Sequence, residues 1–250
     1  MREINIKPET MRKRILYVTA AIWLFLICRN KVAGENLPAE QPDSLPGERL
    51  PVQEVTARED SGMPMLLLLT GDGGWKGFDV RLSGQFAARS VPVAALNSLK
   101  YFWKKRTPEE TAAAVKLLLD RYTRLWHKQD FILAGFSFGA DVLPFVVNRL
   151  PSALLAHCRG VVLFSPGTST DFEIHLSQMM GKRKEWKYSV VNELNRMTFR
   201  PLLCLFGEAE NDYPMASLSD RHIPVFRLPG GHEYTDDHRD VAGLVLAHLR

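Results

Sequence analysis

The stretch from Phe131 to Gly139 constrains this chain more than any other. Phe131-Ile132-Leu133-Ala134 is an apolar run of strand length. Gly135-Phe136-Ser137-Phe138-Gly139 follows it and opens a second apolar segment, which ends before Pro151. A strand that becomes a helix within so few residues forces the corner residue into a strained backbone conformation, and glycines on either side remove Cβ atoms that would collide with main chain. The corner side chain then stands exposed at the carboxyl end of the strand, where a serine is placed as a nucleophile. Gly-x-Ser-x-Gly alone is a weak signal, and a glycine-rich turn with an incidental serine is the alternative reading. The strand before it and the helix after it give it mechanical meaning.

The rest of the chain repeats the alternation. Leu50 to Val55 reads as an edge strand, Met65 to Leu69 and Val91 to Leu96 as strands buried on both faces, and Asp79 to Arg89 as a short helix. Thr107, Pro108 and Glu110 form a helix start with a capping box. Ala114, Leu117, Leu118, Tyr122 and Leu125 then mark an apolar face at helical spacing. A helix from Phe138 to Arg149 follows the serine, with further strands at Val161 to Phe164, Leu202 to Phe206 and Ile223 to Leu228, and a closing helix over 236–250. Strands alternating with helices predict an α/β domain over 49–250, a mostly parallel sheet with helices on both faces. Residues 168–200 break the rhythm and read as an insertion capping the sheet.

Charge is unevenly placed. Residues 1–33 hold seven Lys/Arg against Glu3 and Glu9, and the remainder holds 25 Lys/Arg against 26 Asp/Glu. A body so balanced lacks the electrostatic footprint of a nucleic-acid binder. Arg12-Lys13-Arg14 precedes fourteen uncharged, mostly apolar residues, Ile15 to Cys28, the pattern of an export signal. That core spans only about 21 Å, short of a ~30 Å hydrocarbon layer. The expectation is a signal peptide over 1–33 that carries the chain to the periplasm, with an uncleaved inner-membrane anchor as the alternative because Lys31 suits a cleavage site poorly. Residues 34–48 read as a linker. Cys158 and Cys204 remain in the body, read as buried thiols rather than a bridge.

A serine hydroxyl needs a base, and the base needs an orienting acid. In the α/β-hydrolase fold the chain order is nucleophile, acid, histidine, with the acid after the penultimate strand and the histidine after the last. Here the acid loop is Gly207 to Pro214 and offers Glu208, Glu210 and Asp212. Glu210 is the first choice and Asp212 the runner-up. His232 follows Pro229-Gly230-Gly231 and is the candidate base. The oxyanion needs two aimed backbone N–H groups. Phe138 is one candidate, and Gly74 or Trp75, in the glycine-rich loop Thr70 to Trp75, the other. Acyl transfer from serine to water calls for no metal and no cofactor.

Four segments resemble the VirJ/AcvB family of bacterial virulence proteins: Thr70-Gly71-Asp72-Gly73-Gly74-Trp75, Asn97-Ser98-Leu99-Lys100-Tyr101-Phe102-Trp103, the ten residues Gly135 to Pro144, and Pro229-Gly230-Gly231-His232. Glu233 departs from the pattern, where a second histidine is expected. The resemblance implies a periplasmic α/β-hydrolase of the shorter, single-domain kind, tied to virulence and to type IV secretion, whose components and substrate proteins become candidate partners. For the longer AcvB-like members it implies hydrolysis of the aminoacyl ester of lysyl-phosphatidylglycerol at the membrane surface. Such a substrate calls for an apolar wall, from Tyr101 and Trp103, phosphate contacts from Lys104-Lys105-Arg106, and an anion for the lysyl amines, from Asp141 or Glu233. The competing readings are that these aromatics are core, that the enzyme is an esterase of other specificity, or that the fold serves as a non-catalytic secretion chaperone or adaptor.

Overall fold

Seven strands line up as one sheet in the computed structural model, which describes residues 44–45, 48–59, 61–175, 186–211, 213, 218, 222–234 and 240–249. They are β1 (Val52–Val55), β2 (Met65–Leu69), β3 (Val93–Leu96), β4 (Phe131–Phe136), β5 (Cys158–Phe164), β6 (Leu202–Gly207) and β7 (Val225–Leu228). Their spatial order is β7-β6-β5-β4-β2-β3-β1. All neighbours are parallel except β1, which closes one edge antiparallel to β3.

The strands β1, β3 and β7 each begin two residues later than their apolar runs suggest, for one reason. Pro51, Pro92 and Pro224 stand immediately before them and have no N–H for the ladder. Their carbonyls still take part, accepting from Asn97, Leu66 and Cys204 at 2.8, 2.8 and 3.0 Å.

Helices cover both faces, as the unbroken apolar strands require. Side chains of α2 (Pro108–Leu125) and α3 (Phe138–Val147) join Met65, Leu67, Leu69 and Leu133 in one core. Those of α1 (Gly77–Ala87) and α4 (Val241–His248) join Leu66, Leu68, Ile132 and Ala134 in the other. Alternate residues of β2 thus feed opposite cores, the period of two expected of a strand. The capping box at α2 is present: Glu110 N–H donates to Thr107 Oγ1 at 3.1 Å, and Thr107 N–H donates to Glu110 Oε2 at 2.7 Å.

Two expectations change. The linker 34–48 is not structureless throughout, since Ser44–Leu45 pairs antiparallel with Glu48–Arg49. The described part of the 168–200 insertion is no detached cap: Ser169–Thr170 pairs with Tyr188–Ser189, and Phe172, Val190, Leu194 and Met197 are buried in the α2/α3 core. Residues 176–185 lie outside the described residues, as does the expected leader 1–33. Cys158 and Cys204 are both free, and burial pushes their thiols up to about 12. No helix among the described residues is long and apolar enough to cross a membrane.

Candidate active site

Ser137 stands at the junction of β4 and α3 with φ 51° and ψ −117°. The flanking glycines explain how the chain can turn there. A Cβ on Gly135 would lie 2.5 Å from Gly139 C and 2.6 Å from Ala140 N. One on Gly139 would lie 2.6 Å from Leu69 C and 2.7 Å from Thr70 O. Each approach is main chain against main chain, and only glycine permits it. Ser137 N–H donates to Phe164 O at 2.8 Å, and Asp141 N–H to Ser137 O at 3.0 Å, which locks both sides of the corner.

The acid and histidine loops leave the adjacent strands β6 and β7 and are stitched together. Glu208 N–H donates to Leu228 O at 2.8 Å, and Ala209 N–H to Gly230 O at 3.1 Å. A Cβ on Gly207 would lie 2.7 Å from Gly231 C, so that glycine sets how close the loops come. The Glu210 N–H donates back to Gly207 O at 3.0 Å, a tight turn that aims the Glu210 side chain at the histidine loop. Ser137 Oγ lies 2.7 Å from His232 Nε2, and Glu210 Oε1 lies 2.7 Å from His232 Nδ1. A carboxylate only accepts, so Nδ1 carries the proton and Nε2 accepts from the serine hydroxyl. Among the described residues of that loop, Glu210 is the carboxylate in contact with the imidazole. Glu208 is exposed, and Asp212 lies outside the described residues.

Electrostatics follow the contacts. Burial pushes Glu210 up, but hydrogen bonds from His232, Ser165 and the Gly207 N–H outweigh it and hold the carboxyl below its usual range. Burial pushes His232 down, yet the bond and charge of Glu210, joined by Asp141 and Asp72, hold the imidazole above its usual value. Phe136 packs against the imidazole with ring centroids 5.4 Å apart, while 48% of the His232 side chain stays exposed.

Phe138 is the first residue of α3, so its N–H has no intrahelical acceptor and stands beside Ser137. Gly74 does not match its expected part. Its N–H donates to Gly71 O at 3.0 Å, and its Cα faces Asn97 and Leu99. The loop meets Ser137 through Gly71 instead, where a Cβ would lie 3.7 Å from Ser137 Cβ. Trp75 packs partly buried against the α1 core.

Tyr101 is fully buried. Asn97 caps a short helical turn, Ser98–Tyr101, that rolls Tyr101 inward, where its hydroxyl donates to Glu110 O at 3.3 Å and Arg106 lies 4.6 Å over its ring. It is core, and no substrate can touch it. Trp103 is 58% exposed, with Lys100, Lys104 and Lys105 exposed around it in sequence. Asp141, one turn into α3, accepts the Gly167 N–H. Burial pushes its carboxyl up to about 8 against the pull of that bond and of His232. Sequence reasoning missed Ser165 and Tyr234, which surround the far side of Glu210; the only signal was a hydroxyl directly after the apolar strand β5. Among the described residues, Asp171, Glu173 and His175 bring metal-ligand atoms within 4.8 Å of one another, but His175 already meets Asp171 and stacks on Trp186.

The family model described as bacterial virulence protein (VirJ) matches residues 64–250. No relative was found among the curated proteins. Among solved structures, Est1E from Butyrivibrio proteoclasticus with bound ferulic acid superposes with a TM-score of 0.52 at 14% identity, over 80% of this chain and 92% of that one. Proline iminopeptidase from Mycobacterium smegmatis gives 0.54 at 15%, over 79% and 93%. The thioesterase domain of the curacin biosynthetic pathway gives 0.50 at 14%, over 78% and 94%. Likeness at such identity establishes the α/β-hydrolase fold.

Proposed function

The chain belongs to the VirJ family of bacterial virulence proteins, and from that premise we propose that it is an exported serine ester hydrolase acting on the aminoacyl ester of lysyl-phosphatidylglycerol. The observation that carries the hydrolase reading is the unbroken series of contacts Ser137 Oγ, His232 Nε2, His232 Nδ1, Glu210 Oε1, each 2.7 Å. A chain that had become a non-catalytic adaptor would have no need to keep all three groups in register.

In the proposed reaction Ser137 Oγ attacks the ester carbonyl carbon while His232 Nε2 takes its proton. Negative charge gathers on the carbonyl oxygen, which the Phe138 N–H meets, with a second donor from the loop around Gly71. Glu210 stabilises the imidazolium through Nδ1–H. Collapse breaks the bond to the glycerol oxygen, which leaves with the proton from Nε2. Water then repeats the sequence on the acyl-serine, freeing the amino acid and regenerating Ser137.

Two features support the substrate. Asp72 contributes negative charge at His232, close to the reacting centre, where a lysyl ammonium would sit, while Asp141, which burial pushes up to about 8, would pair with it only once deprotonated. Trp103, exposed beside lysines at 100, 104 and 105, suits an interface of apolar chains and phosphates. The export signal would set the reaction on the periplasmic side, and support of virulence and type IV secretion would follow from the lipid change.

The test is release of free lysine from vesicles containing lysyl-phosphatidylglycerol by full-length protein, with Ser137→Ala alongside. Lysine released by wild type and lost in Ser137→Ala is the expected result. Equal release by both overturns the serine mechanism. Hydrolysis of a simple aryl ester without lysine release overturns the lipid assignment and leaves an esterase of other specificity.

A further inference from the structure

The carboxylate of Glu210 has two oxygens, and His232 uses only Oε1. Oε2 turns the other way and accepts from the Gly207 N–H and the Ser165 hydroxyl, both at 2.6 Å. Ser165 Oγ in turn touches the Tyr234 hydroxyl, and Tyr234 OH reaches Leu205 O at 3.0 Å. Ser165 and Tyr234 are 3% and 1% exposed, so bulk water does not share these contacts.

Counting protons orders this series. Its two ends, an ionised carboxylate and a backbone carbonyl, can only accept. Ser165 and Tyr234 supply one hydroxyl proton each for three contacts. The carboxylate is the stronger acceptor, so the Ser165 proton points at Oε2. The single Tyr234 proton is then shared between Ser165 Oγ and Leu205 O, and it holds the serine hydroxyl from behind. The backbone is bent to reach this arrangement: φ is 49° at Ser165 and 50° at Tyr234, a left-handed region that non-glycine residues seldom occupy. The Tyr234 ring is fixed among Phe78, Phe136 and Phe164.

We propose that Ser165 and Tyr234 are positioning residues for the triad acid: Ser165 fixes Oε2 by donation, and Tyr234 fixes Ser165, so that Oε1 is presented to His232. The proposal rests on reading Glu210 as the acid of a serine hydrolase. Without the Ser165 hydroxyl, only the Gly207 N–H still holds Oε2, so the carboxyl gains freedom about its terminal bond and the Nδ1 proton has a less firmly fixed acceptor. Neither residue touches the substrate, so the effect falls on the rate of serine attack rather than on binding.

The test is the labelling of full-length protein by a fluorophosphonate probe, resolved into a maximal rate and a half-saturating probe concentration. Ser165→Ala and Ser165→Gly form the decisive pair, because glycine relieves the left-handed backbone while removing the hydroxyl. If Ser165 served only the backbone, Ser165→Gly would label at least as fast as wild type. We expect both variants to lose about 10- to 100-fold in maximal rate, the range of one hydrogen bond to a charged group, with half-saturation unchanged. Tyr234→Phe keeps the ring and removes the proton, and its rate falls between wild type and Ser165→Ala. A wild-type maximal rate in Ser165→Gly, or a loss confined to half-saturation, overturns the proposal while the triad stands. Glu210→Gln labelling at the wild-type rate overturns the acid assignment and this proposal with it. Wild-type protein that does not label, or labels undiminished in Ser137→Ala, overturns the hydrolase reading itself.

Discussion

Replacing Gly139 by alanine adds one carbon where two pieces of main chain already meet. The new Cβ would stand 2.6 Å from Leu69 C and 2.7 Å from Thr70 O, whereas carbon contacts are comfortable at about 3.5–4.0 Å. No side chain can rotate out of the way, so β2 and the start of α3 must part by close to an ångström. β2 is an interior strand, buried along its whole length. Overpacking costs about 1–3 kcal/mol, and a clash with main chain on both sides belongs at the upper end. At roughly 2–4 °C per kcal/mol for a domain of this size, Tm should fall by about 6–12 °C. Gly84 supplies the control: it lies inside α1, where a Cβ would meet nothing within 4 Å, so Gly84→Ala should gain about 0.4–1 kcal/mol. Paired thermal melts by circular dichroism read both. Parting α3 from β2 also draws the Phe138 N–H away from the Gly71 loop, so fluorophosphonate labelling of Gly139→Ala should be lost even at a temperature where it is folded. A Gly139→Ala melt within about 2 °C of wild type would refute the steric account of the turn, as would equal damage from Gly84→Ala.

Two further outcomes follow from the charges. In the proposed reaction the neutral form of His232 is the base, and its carboxyl neighbours hold its titration above the ordinary value. Ester hydrolysis should therefore fall away as pH drops through a point above about 6.5. Glu210→Gln should move that acid limb to lower pH and reduce kcat by about 10⁴-fold, the size of the acid-to-amide change in serine-protease triads; an unmoved limb would show that Glu210 does not govern His232. Asp79 is 2% exposed, and burial pushes its carboxyl up to about 8 although the Gly71 N–H donates to it. A folded-state value above the unfolded one means stability present below about pH 4 and lost as pH rises through about 8. Asp79→Asn, which keeps an acceptor for Gly71, should melt with wild type at pH 4 and above it at pH 9, and coincident melts at both would contradict the burial argument.

Much of the fold could be read in the chain because its signals are local. The continuous apolar runs of β2 and β4 to β6 announce strands covered on both faces, and Thr107-Pro108 with Glu110 announces a helix start. Strand beginnings shifted wherever a proline stood in the run. Within the site, the serine corner and the chain order of its partners were visible, because steric need and strand succession write them into the sequence. Which carboxylate meets His232 was not, since three lay within five residues and a single backbone bond, Glu210 N–H to Gly207 O, aims one of them. Tyr101 read as a wall for substrate because it follows a strand; the Asn97 cap that rolls it into the core acts through three-dimensional packing. Ser165 and Tyr234 escaped notice for a similar reason, being 69 residues apart and joined only when β5 and the histidine loop reach the same end of the sheet.

The position of the strands has a consequence for how this protein fails. Ser137 hangs from β4, in the middle of the sheet, while His232 follows β7, the edge strand, in which only Leu228 is buried. Amide protons of β7 should exchange through small openings that leave β4 closed. Each such opening carries His232 away from a Ser137 that has not moved. Denaturant should therefore extinguish activity before far-ultraviolet dichroism reports any loss of structure, and the useful lifetime of the molecule is set by one edge of its sheet rather than by its core.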